Sequence, residues 1–126
     1  MHDEQASMSL GDMLDRVTIL SRKIFFGEEG AIQEHTYLCE CLDKMNIKFT
    51  GALLASTVRL TTMNIEIWNL ENEMRRDVDN TMALEEIGRR AVKIRDYNKK
   101  RIEYKNEINR LTGLGFREFK IRHRSQ

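Results

Sequence analysis

The sequence contains no proline among its 126 residues, and it has only seven glycines and two cysteines. Sandwich and barrel folds need many tight turns, which proline and glycine normally supply, so their scarcity disfavours both folds. No stretch alternates apolar and polar residues over several consecutive strands. Together these absences predict an all-α protein.

Long hydrophobic runs are also missing. No segment of about 18 apolar residues occurs and the first residues are acidic, so neither a membrane span nor a signal peptide is indicated. We therefore expect a cytoplasmic protein without membrane association. With 40% hydrophobic and 33% charged residues, the chain can bury a core, and its length fits one domain. Residues 1–126 are expected to form this domain, with residues 1–8 and 116–126 as tails.

Metal and disulfide chemistry are not indicated. Cys39 and Cys41 are two residues apart on a predicted helix, so their side chains point to different sides of it. None of the three histidines follows a glutamate by three residues, which the di-iron helical bundles require. We predict no metal site and no cofactor.

The main feature of the sequence is a pair of long helical patterns between about residues 52 and 112. Apolar residues in the first pattern recur at steps of three and four along two stripes, which predicts two burial partners. One stripe is Leu60, Met63, Ile67, Leu70 and Met74, and the other is Leu54, Val58, Thr61, Ile65 and Trp68. The second pattern starts near Thr81 and ends at Gly113, a residue that favours a left-handed helix cap. We expect an antiparallel helical hairpin with a tight turn at Asp79 and Asn80.

Two shorter helices precede this hairpin. Ser9 followed by Asp12 resembles a capping box and predicts a first helix that ends near Gly27. A second helix is expected from Gly30 to about Met45. The fold is thus predicted to be a helical bundle built on the long hairpin, with two shorter N-terminal helices.

The geometry of the hairpin leads to two further expectations. Folding the arms about the predicted turn places Ala91 opposite Trp68, a small residue facing the only tryptophan. At about 1.5 Å per residue, the arms are longer than the two helices that cover them. An uncovered apolar stripe of this length is usually buried by a second copy of the chain, so we expect a homodimer.

On the second arm of the hairpin, the row of residues that faces the first arm is apolar near the turn and polar further along. Asn98, Arg101 and Lys105 continue this line near the seam of the hairpin, where an unpaired cation would be costly. Glu71 on the first arm and Asp15 on the first helix are the candidate acids that can neutralise the two bases, and an exogenous phosphate or carboxylate is the functional alternative. No catalytic residue is predicted, and the candidate ligand-binding residues are Asp15, Asn64, Glu71, Asn98, Arg101 and Lys105.

The charge is distributed unevenly, although the net charge is only +1. Residues 1–45 carry nine acidic and four basic side chains, whereas residues 81–126 carry six and thirteen. Pairing of the acidic part with the basic part inside the molecule is the favoured explanation. The alternative is an anionic partner, because aromatic residues between the bases of residues 116–126 also suit RNA, DNA or acidic lipid.

Three stretches, Ser9–Leu20, Asn64–Glu71 and Glu107–Gly113, carry a resemblance to known proteins, together with the seam residues Asn98, Arg101 and Lys105. They resemble a small bacterial all-helical family of unknown function. The resemblance covers about half of the chain and implies a bacterial, cytoplasmic, helical protein. It implies no activity.

Three function classes follow from these patterns. The favoured class is an oligomeric interaction or scaffold module, because no serine–histidine–acid, cysteine–histidine or metal-binding grouping is recognisable. The second is a small all-helical enzyme or a binder of an anionic small molecule at the polar seam. The third, nucleic-acid binding through the basic C-terminal half, is the least favoured. The balance leans against an enzyme.

Overall fold

The computed structural model describes residues 3–77, 81–115 and 117–122, with side chains described for residues 8–77 and 81–115. The expected turn at Asp79 and Asn80 lies outside the described residues. The elements in chain order are β1 (Asp3–Met8), α1 (Leu10–Phe25), α2 (Ala31–Asp43), α3 (Gly51–Arg75), α4 (Leu84–Thr112) and β2 (Arg117–Arg122).

The long hairpin is formed by α3 and α4, which pack against each other more extensively than any other pair of helices described. Near the connection, Arg90 of α4 forms an ion pair with Glu73 of α3. At the opposite end, Leu60 of α3 and Ile108 of α4 share a core cluster, so the two helices are antiparallel. The predicted all-α bundle is therefore confirmed.

Local capping signals determine where the helices begin and end. The Ser9 hydroxyl accepts a hydrogen bond from the Asp12 backbone N–H at 3.0 Å, and the Thr50 hydroxyl does the same for α3. These contacts satisfy N–H groups that have no partner within their own helix. Gly27 and Gly113 have φ angles of 90° and 70°, a left-handed conformation that glycine adopts more easily than other residues. The two glycines follow α1 and α4 and end these helices as predicted.

Two clusters of buried side chains form the core. The first joins α1, α3 and α4 through Leu10, Leu53, Leu60 and Ile108. The second joins α1 and α2 through Met13, Leu20, Ala31 and Leu38. The first helix takes part in both clusters, so α1 is the element that connects α2 to the hairpin.

The segments expected to be tails contain a two-stranded antiparallel sheet. Strands β1 and β2 pair from Asp3 opposite Arg122 to Met8 opposite Arg117. Next to this sheet, the Leu10 backbone N–H donates to the Leu114 carbonyl oxygen at 2.9 Å. The start of α1 and the end of α4 are thus held side by side.

Helices α1 and α4 come so close at Gly11 that backbone contacts backbone. The Gly11 N–H donates to Asn109 Oδ1 at 2.7 Å, and the residue is buried. A β-carbon built on Gly11 would lie 2.4 Å from the carbonyl oxygen of Lys105. Only glycine fits this contact, because the obstructing atom belongs to the backbone and cannot rotate away.

Two expectations about α3 were not met within this chain. The Trp68 ring stacks on Phe26 of α1, with ring centroids 5.9 Å apart, whereas Ala91 is exposed instead of being covered by the tryptophan. Three members of the second apolar stripe of α3 also lack the predicted burial, because Leu54, Val58 and Ile65 are 49%, 55% and 37% exposed. Helix α1 is shorter than α3 and packs against only one side of it. Phe26 at the end of α1 therefore contacts Trp68, whereas Leu54, Val58 and Ile65 remain exposed.

No helix in the described part of the chain combines the length and the apolar character that a membrane span needs.

Gly11→Ala tests the close contact between α1 and α4. The added methyl group overlaps the Lys105 carbonyl, and we expect a loss of about 1–3 kcal/mol in the free energy of unfolding. Urea denaturation followed by circular dichroism measures this loss.

Gly88→Ala is the matched control for this substitution. Gly88 lies inside α4 with open space where a β-carbon would be, so alanine should raise stability by about 0.5–1 kcal/mol. Equal changes in the free energy of unfolding for Gly11→Ala and Gly88→Ala would contradict the close contact at Gly11.

Candidate functional site

A polar network lies where α1, α3 and α4 meet, and the carboxylate of Asp15 is at its centre. Asp15 is only 5% exposed. Arg101 of α4 donates to both of its oxygens, from Nε to Oδ1 at 2.9 Å and from Nη2 to Oδ2 at 2.5 Å. This two-point geometry is the strongest form of an arginine–carboxylate interaction and compensates for burying the charge.

The third helix enters the network through Asn64. Its Nδ2 donates to Asp15 Oδ1 at 2.8 Å and contacts Thr18 Oγ1 at 3.0 Å. The Thr18 hydroxyl in turn donates to the Asp15 backbone carbonyl at 2.7 Å. Asn64 therefore binds two groups of α1 at once, and the Asp15 carboxylate is hydrogen-bonded to both arms of the hairpin.

A second ion pair lies one helical turn away. Lys105 Nζ is 2.7 Å from Asp12 Oδ1 and 4.0 Å from Asp15 Oδ2. Asp12 and Asp15 are three residues apart on α1, whereas Arg101 and Lys105 are four apart on α4, so each pair shares one face of its helix. Helices α1 and α4 run antiparallel, so Asp12 lies beside Lys105 and Asp15 lies beside Arg101.

The charges of the network stabilise one another in their ionised forms. Hydrogen bonding to Asp15 raises the pKa of the Arg101 guanidinium, although burial alone would lower it. Burial would raise the pKa of the Asp12 carboxyl, but hydrogen bonds from Lys105 and Ser9, together with the Lys105 charge, outweigh burial and hold that pKa below its ordinary value.

Four of the six predicted site residues meet in this network: Asp15, Asn64, Arg101 and Lys105. Asn98 lies at its edge, with Oδ1 3.5 Å from Arg101 Nη1, the outer limit of a hydrogen bond. Glu71 is exposed and acts on Arg101 through its charge.

Sequence reasoning missed Asp12 and Thr18 as members of the network. The available signal for Asp12 was its spacing of three residues from Asp15, which repeats the short spacing between Arg101 and Lys105. Thr18 had no comparable signal, because a threonine near an asparagine is common on helices.

A cavity of about 530 Å³ lies beside the network, between the C-terminal half of α1 and the middle of α3. Its apolar lining includes Ile19, Phe26, Ile65 and Trp68, and its polar lining includes Asn64, Glu71 and Arg101. The network therefore forms one wall of a space large enough for a small organic molecule.

The charged groups of the network are already paired with one another. Each of its two cations already has a carboxylate of the same chain, and the buried carboxylate has donors on both oxygens. No group of three or more histidine, cysteine, aspartate or glutamate side chains in the described parts of the chain is arranged to hold a metal ion.

No protein-family model, curated protein or solved structure matches this chain. The family resemblance of the sequence therefore stays a prediction, and function is inferred from the geometry of the molecule.

Arg101→Met tests the role of the network. The substitution keeps an unbranched apolar stem in place of the arginine methylenes but leaves the Asp15 carboxylate buried without its cation, so we expect the free energy of unfolding to fall by about 3 kcal/mol. Chemical denaturation at neutral pH measures the loss.

The double variant Asp15→Asn with Arg101→Met serves as the control. A neutral amide needs no cation and can still accept a hydrogen bond from Asn64, so much of the lost stability should return. A double variant that is no more stable than Arg101→Met would contradict a stabilising role for this pair.

The lowered pKa of Asp12 predicts a pH dependence. The ionised Asp12 stabilises the fold above its ordinary pKa of 3.8, and this contribution is lost as the pH falls through the lower pKa of the folded state. The stability difference between the wild type and Asp12→Asn should therefore be largest at neutral pH and shrink below pH 3.8.

Urea titrations from pH 7 to pH 3 provide the measurement, and Glu103→Gln is the control because Glu103 is exposed on α4. The control difference should stay small throughout. A wild-type advantage over Asp12→Asn that remains constant to pH 3 would rule out this contribution.

Proposed function

We propose that this protein is an oligomeric interaction module that forms a homodimer through the outer side of α3. The observation that carries the proposal is an apolar stripe of that helix, named here the outer stripe, whose members are Leu54, Val58, Thr61, Ile65 and Trp68. Leu54, Val58 and Ile65 are exposed, and Thr61 and Trp68 are half-buried.

The outer stripe has the spacing of a helix–helix contact. Its residues follow one another at steps of four, three, four and three, which is the pattern of a coiled-coil seam. Both charged residues between Leu54 and Trp68, Arg59 and Glu66, lie outside it. A stripe with no charged member over about 21 Å of helix suits an equally uncharged partner.

The polar groups along this surface need no partner from outside. Thr57, Thr61 and Thr62 each donate their hydroxyl to a carbonyl oxygen one turn earlier in α3, at 2.8 to 3.0 Å. The hydroxyl groups are thus satisfied within the helix. A second helix can cover them without leaving a buried donor unpaired.

The order of residues in the outer stripe favours a second copy of the same chain. The small Thr61 is at its centre, with the β-branched Val58 and Ile65 on either side and Leu54 and Trp68 seven residues away at each end. A two-fold axis near Thr61 would therefore place Leu54 of one chain near the partner's Trp68. Self-complementarity of this kind is the property of a two-fold interface.

The apolar surface continues beyond α3. Phe25 and Phe26 at the end of α1 are 83% and 59% exposed, and Phe26 stacks on Trp68. These rings extend the outer stripe sideways and enlarge the area that a second copy would bury.

The charge pattern supports this function over nucleic-acid binding. Five of the eight bases between residues 89 and 105 form ion pairs with acids of the same chain: Arg89, Arg90, Arg95, Arg101 and Lys105. Paired bases are less available for phosphate contacts. We also assign the Asp15 network to holding α1 on the hairpin, and we place the module in a bacterial cytoplasm, where the thiols of Cys39 and Cys41 remain reduced.

Val58→Glu tests the interface. Val58 is 55% exposed, so the glutamate leaves the single chain intact but would be buried without a cation in the dimer. Light scattering at micromolar concentration should give twice the chain mass of 14.9 kDa for the wild type and the single mass for the variant.

Ala52→Glu is the matched control, because Ala52 is exposed on the same helix outside the outer stripe. Thr61→Cys in a Cys39→Ser, Cys41→Ser background adds a positional readout, since a residue near the axis should form a disulfide with its own copy on mild oxidation. A monomeric wild type, or a Val58→Glu variant that stays dimeric, would overturn the proposal.

A further inference from the structure

The cavity between α1 and α3 has an aromatic wall formed by Phe26 and Trp68. Phe26 and Trp68 stack with their ring planes 13° apart, and both rings contribute to the lining of the cavity. Ile19 and Ile65 extend this lining. A volume of about 530 Å³ suits a small organic ligand with a planar body.

Arg22 supplies a cation in this aromatic setting. Its guanidinium carbon lies 3.8 Å from the centroid of the Trp68 ring and 4.9 Å from that of Phe26. Its Nε is buried and has no hydrogen-bond partner among the described residues. A buried N–H without an acceptor is rare in folded proteins, so the protein does not satisfy the hydrogen-bonding capacity of the Arg22 guanidinium.

The contrast with Arg101 shows why Arg22 is the cation that a ligand would meet. Arg101 also lines the cavity, but Asp15 already accepts two hydrogen bonds from it. Arg22 forms no ion pair within the described parts of the chain, and it is held in place by the two rings instead. An incoming carboxylate can therefore bind Arg22 without displacing an acid of the protein.

The remaining charges limit the charge of the ligand. The lining includes the bases Lys23 and Arg22 and the acids Glu28 and Glu71, in addition to the neutralised Arg101. Without Arg101, the lining has as many acids as bases, which disfavours a phosphate dianion. We propose that this cavity binds a small aromatic monocarboxylate, with its carboxylate on Arg22 and its ring among the apolar side chains of the lining.

The only tryptophan of the chain makes the site directly observable. In a ¹⁵N-labelled protein, Trp68 gives the single indole N–H resonance, and titration with 1-naphthoate should shift this resonance with saturation. Calorimetry should show that neutral 1-naphthalenemethanol and dianionic 1-naphthyl phosphate bind at least tenfold more weakly. An indole resonance unmoved by millimolar 1-naphthoate would refute the site, and tighter binding of the phosphate would refute the monoanion assignment.

Arg22→Met separates the charge from the apolar wall. The variant should bind 1-naphthoate at least tenfold more weakly and 1-naphthalenemethanol with unchanged affinity, which also shows that the cavity is still folded. Arg75→Met, which removes an exposed arginine of α3 outside the cavity, should change neither affinity. Undiminished binding of 1-naphthoate to Arg22→Met would overturn the role of Arg22.

Val58→Glu distinguishes this site from the proposed interface, because Val58 does not line the cavity. The site is built within one chain, but Phe26, Ile65 and Trp68 also belong to the proposed dimer surface, so the monomeric variant should bind 1-naphthoate at least as tightly as the wild type. Loss of binding in Val58→Glu would move the site to the interface and overturn its assignment to a single chain.

Discussion

The buried carboxylate of Asp15 is the constraint on which the arrangement of the helices depends. A charge on α1 that is only 5% exposed needs a cation and further donors, and these come from Arg101 on α4 and Asn64 on α3. A rotation of any of the three helices by one residue would break at least one of these bonds. Since a buried ion pair adds little net stability compared with apolar packing, we interpret the network as fixing how the helices fit together.

The sequence was most informative where a structural signal is local. The Ser9 cap and the Gly113 stop were predictable because a helix end is encoded within a few residues. The seam was predictable for a different reason: Arg101 and Lys105 interrupt an apolar line, and a cation in that position needs an acid. Glu71 and Asp15 were the two candidate acids, and the structure shows the Arg101–Asp15 pair.

What the sequence did not reveal depends on contacts between distant segments. Periodicity identifies the apolar sides of α3 but not the neighbour on each side, so Trp68 was paired with Ala91 although its ring lies against Phe26 of α1. The sheet of β1 and β2 joins residues as far apart as Asp3 and Arg122. Each strand is six residues long, and neither carries a local signal for a partner at that distance.

Helix α3 presents a different environment on each of its sides. One side supplies Leu53 and Leu60 to the core, a second supplies Asn64 to the polar network, and a third carries the outer stripe. The cavity lies between the second and third sides, where Asn64 and Ile65 are adjacent in sequence but line it with different chemistry. The polar network and the exposed apolar surface are therefore mechanically connected through one rigid element.

The contact at Gly11 has a consequence for how this sequence can evolve. Crowding between two side chains can be relieved by shortening either one, but here the obstructing atom is the carbonyl oxygen of Lys105, which every amino acid possesses. No residue is smaller than glycine, so every substitution at this position adds a β-carbon that fits only if the two helices move apart. Among diverged descendants of this chain, a side chain at position 11 should therefore mark lineages in which the packing of the first helix has been rebuilt.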